Sequence, residues 1–60
     1  MKVKELMHVT PLYVNIVYMD KDTKEHIDYK KMHRKEREEF RNRNIYIIEP
    51  QFHKIYCYVY

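Results

Sequence analysis

A chain of 60 residues has room for one domain and, with a single cysteine, no internal disulfide to staple it. Its composition, 45% hydrophobic with seven tyrosines and two phenylalanines, is that of a globular chain, and no apolar run approaches the ~18–20 residues that span a bilayer. The net charge of +3 is concentrated: Lys30 to Arg43 carries seven cations against three glutamates, while the rest of the chain is slightly acidic.

In chain order, Val3, Leu6 and Met7 fall at helical spacing, and Pro11 ends that stripe because the residue before a proline avoids the α region. A short first helix over Val3–Val9 is expected, lying on a sheet. Leu12 to Met19 reads as the first strand, rich in β-branched and aromatic residues. Val14, Ile16 and Tyr18 share one of its faces; Tyr13, Asn15, Val17 and Met19 share the other. Asp20-Lys21-Asp22-Thr23 is a turn, since Asp and Thr side chains bond back to nearby backbone. A second strand is expected from Lys24 to Tyr29, with Ile27 and Tyr29 inward and His26 and Asp28 outward.

Met32 to Arg43 has the composition of a second helix, with a thin apolar stripe of Met32 and Phe40. Lys30, Lys31 and Arg34 at its start oppose the helix dipole, so it should be the least stable element, anchored by Phe40. Asn42-Arg43-Asn44 should leave it through a left-handed Asn cap. The last stretch reads as a hairpin, Ile45–Ile48 against Ile55–Tyr60. Ile55, Cys57 and Val59 form its core face, and Tyr56, Tyr58 and Tyr60 a ladder of phenols on the other. The expectation is one α+β domain over residues 1–60, in αββαββ order, with a four-stranded antiparallel sheet and two helices.

Candidate chemistry is sparse. His26 and Asp28 share a strand face, but a metal site needs three or four ligands. Cys57 sits on the Ile/Val face and reads as a small buried hydrophobe. With no glycine there is no phosphate-cradling loop, and no paired carboxylates suggest acid–base work. Catalysis, a metal and a cofactor are not expected. Two surfaces remain. Tyr56, Tyr58 and Tyr60 suit a protein interface, where Tyr and Arg concentrate binding energy. Arg34, Arg37 and Arg41 lie near one helix face and could meet a partner or neutralise phosphates, although Glu36, Glu38 and Glu39 interrupt them.

Several stretches together carry a resemblance. They are Val3-Lys4-Glu5-Leu6, the run Asp20-Lys21-Asp22-Thr23-Lys24-Glu25, the charged helix, and Arg43-Asn44-Ile45-Tyr46-Ile47-Ile48-Glu49-Pro50 before a final apolar strand. In this the chain resembles small proteins encoded by phages and prophages of Gram-positive bacteria. In those proteins a glycine commonly follows the Asp/Thr turn, where this chain has none. The resemblance implies an inhibitor or modulator of a bacterial protein that occupies its surface, such as a component of a defence system in the manner of anti-CRISPR proteins, and the lone Cys57 on a core face fits the reducing cytoplasm of the host cell. The expected partners are a bacterial host protein and a second copy of the chain in a homodimer. Alternatives are a nucleic-acid binder using the basic helix and a self-associating structural protein. No membrane is expected.

Overall fold

The computed structural model describes residues 1–60, in the order α1 (Val3–Val9), β1 (Asn15–Asp20), β2 (His26–Ile27), a 3-10 turn (Tyr29–Lys31), α2 (Arg34–Arg41), β3 (Ile45–Gln51) and β4 (Lys54–Val59). Helix α1 has the bounds its apolar stripe dictates. The Glu5 carboxylate accepts the Lys2 backbone N–H at 2.8 Å, tying down its first turn, and the Thr10 hydroxyl donates to the Leu6 carbonyl at 2.6 Å at its end. Val3 and Leu6 are buried, each contributing about 1.5–3 kcal/mol on leaving water.

Strand β1 starts three residues later than its β-prone composition suggests. Val14 N–H bonds back to the Pro11 carbonyl at 3.0 Å, so Pro11–Val14 form a turn. The next turn is built as expected: Asp20 Oδ1 accepts the N–H groups of Asp22 and Thr23, at 2.9 and 3.0 Å. Strand β2 is only two residues long, because Tyr29 enters a 3-10 turn instead of continuing the ladder. Tyr29 nevertheless points inward, against the core.

Helix α2 is shorter than Met32–Arg43. Asn42 is not left-handed: its φ of −91° and ψ of −1° keep it helical, and its side chain donates to the Glu38 carbonyl at 3.0 Å. The left-handed positions are Lys24 and His53, with φ of 62° and 63°. Lys24 occupies the place after the Asp/Thr turn where a glycine would be easiest. His53 lies in the two-residue loop between the paired residues Gln51 and Lys54. Pro50 is accommodated because β3 is an edge strand.

The strand order is β2-β1-β4-β3, with β1–β2 and β3–β4 antiparallel and the inner pair β1–β4 parallel. The sheet is therefore mixed and not wholly antiparallel. Parity explains it. Helix α2 carries the chain back along the sheet, so β3 starts in the direction of β2, and β4 then runs in the direction of β1.

The core is Val3, Leu6, Tyr18, Phe40, Cys57 and Val59. Ile16, Ile45 and Ile48 pack against it from the strands. All these strand residues lie on one face, so both helices cover the same side of the sheet, in two layers.

Candidate functional site

The other face of the sheet has no helix on it. On β4, period-two alternation turns Tyr56, Tyr58 and Tyr60 away from the core that Cys57 and Val59 enter. Register supplies their neighbours. Tyr56 lies between Val17 and Glu49, and Tyr58 between Met19 and Ile47. A bulge between Ile45 and Ile47 shifts the alternation of β3, and Tyr46 reaches this face as well. Its ring meets that of Tyr60 edge to face, with centroids 5.5 Å apart. Tyr46, Ile47 and Tyr60 remain 52%, 46% and 57% exposed. The result is a patch with aromatic and aliphatic bodies and hydroxyl tips.

Two lysines from the Asp20–Glu25 turn fold over one end of this patch. Lys21 Nζ stands 5.1 Å from the Tyr46 ring centroid and 5.4 Å from that of Tyr60; Lys24 Nζ stands 4.9 Å from that of Tyr58. These are cation–π distances. Lys21 also donates to Asp22 at 3.0 Å, and this bond, with the carboxylate charge, raises its pKa. The turn beneath is held by Asp20. Its pKa is lowered first by the Thr23 and Asp22 N–H groups it accepts, with help from Arg43, whose Nη2 is 3.8 Å away.

The arginines lie elsewhere. Helix α2 is on the core side of the sheet, so Arg34, Arg37 and Arg41 are not joined to Tyr56, Tyr58 and Tyr60 in one surface. Arg34 is exposed, with Nε 3.8 Å from Glu38. Arg37 is half-buried and turned back: Nη2 donates to the Lys30 carbonyl at 2.9 Å, and its guanidinium carbon lies 5.6 Å from the Tyr29 ring centroid. Arg41 is half-buried in the last turn of α2.

Cys57 is fully buried, and burial pushes its thiol up to about 11, so it is protonated at neutral pH. Asp28 lies 4.0 Å from Lys31, and no group of three or more His, Cys, Asp or Glu side chains converges. No helix is long and apolar enough to cross a membrane.

Sequence reasoning identified the tyrosine ladder but missed Lys21 and Lys24. Their only signal was position: both lie in the turn that follows β1, next to β4. No family model, curated protein or solved structure matches the chain.

Proposed function

We propose that this is a non-catalytic binding protein that seats the uncovered tyrosine face on the surface of another protein. The observation that carries the reading is that both helices pack against the Cys57/Val59 side, leaving Tyr46, Tyr56, Tyr58 and Tyr60 with Val17, Met19 and Ile47 on an unclad sheet. Tyrosine offers large contact area with few rotors and a polar tip, which suits a surface that must stay wetted until it is covered. With the resemblance to small phage proteins, the reading becomes an inhibitor or modulator of a bacterial protein, acting by steric occupation in the cytoplasm.

The test is affinity capture of the tagged chain from a bacterial lysate treated with nuclease, with identification of the retained proteins by mass spectrometry. One specific protein, held by the parent and lost with the Tyr56→Ala/Tyr58→Ala/Tyr60→Ala variant, supports the reading. Retention that vanishes with nuclease points to nucleic acid instead. Sedimentation at a stable dimer mass with no captured partner points to self-association through this face.

A further inference from the structure

The sheet has a gap at the opposite edge. Strand β1 is six residues long, yet β2 pairs only with Tyr18 and Met19. The alternation of backbone groups along β1 is fixed at its end. Lys21 N–H bonds to Val59 on β4, whereas Asp20 N–H bonds to the Glu25 carbonyl on the β2 side. By period two, Tyr18 and Ile16 also turn their backbone groups toward β2. Tyr18 finds Ile27 there, but the residue that would face Ile16 is Tyr29, which has left the ladder for the 3-10 turn. None of the turn, loop or cap hydrogen bonds of the chain involves Ile16. The ladder with β2 stops at Tyr18 and Ile27, so Ile16 has no strand partner on this edge, which borders a groove of about 250 Å³ lined by Asn15, Ile16, Val17, His26 and Tyr29 among others.

We infer that this free edge of β1 accepts an extended segment of a partner protein, which adds to the sheet in line with β2. The groove is below the ~300–1,000 Å³ of small-molecule sites, while a strand edge without a ladder partner is complementary to another strand. The geometry specifies the segment further. A residue in the hydrogen-bonded position opposite Ile16 puts its side chain on the face of Ile16, where a second groove runs between Met7, Leu12, Tyr18 and Tyr29. That residue is apolar. Charge sets the flank: Asp28 is engaged by Lys31, whereas Lys30 on the groove rim is exposed and has no ion-pair partner, so an acidic neighbour fits. A second copy of the chain would bring another Lys30 to the same short edge, which charge disfavours.

The test is titration of the ¹⁵N-labelled protein with capped hexapeptides Asp-Thr-X-Thr-Val-Asp, with X as Val, Ile, Phe or Tyr. At least one should move the amide signals of Ile16, Val17 and Tyr29, and slow exchange of the Ile16 amide about tenfold or more at saturation. N-methylation of the backbone at X should weaken binding about tenfold, because it removes the donor to the Ile16 carbonyl. Lys30→Glu, an exposed change, should weaken it about threefold. The proposal is overturned by the absence of shifts at Ile16 with all four peptides, by shifts confined to the tyrosine face, or by equal binding of the N-methylated form. Protection of Ile16 that grows with protein concentration alone would overturn it too, in favour of a second copy.

Discussion

The ring of Phe40 meets that of Tyr18 edge to face, with centroids 5.0 Å apart and planes at 85°. Phe40 is 2% exposed, the single fully engaged apolar residue of α2, and Tyr18 is the buried residue of β1. Tyr29 completes the cluster at 5.7 Å from Phe40 and 6.0 Å from Tyr18. A helix whose other side chains are charged thus has one aromatic residue to anchor it, set between two tyrosines.

Phe40→Ala is therefore expected to cost about 3–5 kcal/mol. A domain of this size has roughly 3–9 kcal/mol in total, on the usual scale per residue. Far-ultraviolet circular dichroism should show loss of helix at 25 °C and a lowered or absent thermal transition. Phe40→Leu should retain much of the fold. Equal stability of Phe40→Ala and the parent would remove Phe40 as the anchor.

The three arginines of α2 should separate. Arg37→Ala loses the bond to the Lys30 carbonyl and the cover over Tyr29, and about 1 kcal/mol is expected after allowance for its partial exposure. Arg34→Ala, exposed beside Glu38, should stay within about 0.5 kcal/mol. Urea midpoints measured side by side decide it, and equal midpoints would contradict the pinned geometry of Arg37.

The pH profile of stability should fall at both ends. The pKa of Asp20 is lowered in the folded state, so its contribution is present above the ordinary value of 3.8 and lost as pH falls through the folded value. Asp20→Asn, which keeps an acceptor but not a charge, should flatten the acid limb. The thiol of Cys57 is raised from 9.0 to about 11, so its contribution is present below pH 9 and lost as pH rises toward 11. Burial raises Tyr18 in the same sense. Cys57→Ala should shrink the alkaline loss, although the cavity lowers stability throughout. Urea unfolding from pH 3 to 11 provides the measurement.

At His53 a left-handed backbone carries a side chain that costs about 1–2 kcal/mol there, partly offset in glycine by its entropy of about 0.5–1 kcal/mol. His53→Gly should stabilise by up to about 1 kcal/mol and raise Tm by roughly 4–8 °C. Phe52→Gly, in the same loop at negative φ, should not. A lower Tm for His53→Gly would show that the contact of its ring with Phe52, at 4.0 Å between centroids, outweighs the backbone relief.

The elements that were legible in the sequence are those decided locally. Val3, Leu6 and Met7 with Pro11 define α1, and alternation on β4 separates Cys57 and Val59 from the tyrosines. Asp20 announces its own turn. What was not legible depends on encounters between distant parts. Nothing near Tyr29 says that it leaves the ladder, since a tyrosine inward of Ile27 suits a strand equally well. The parallel pairing of Tyr18 with Cys57 follows from the path of α2 and not from either residue. The side chosen by the two helices is set by the joint packing of Leu6 and Phe40 on Val59 and its neighbours, which no single segment encodes. Half of the candidate site, the tyrosines, came from a local period; the lysines over them came from the fold of a turn onto a strand it never neighbours in sequence.

The parallel inner pair also governs when this chain can fold. Strand β4 lies between β1 and β3, and its partners on β1 are roughly forty positions earlier in the chain. While the polypeptide is being synthesised, β1 and β2 can form at most an isolated hairpin, which is marginal in water. Of the four strands, β4 is made last. Until Val59 has emerged, Val3, Leu6, Tyr18 and Phe40 have no floor to pack on, so a nascent chain remains open to proteases and chaperones and then closes in one cooperative step.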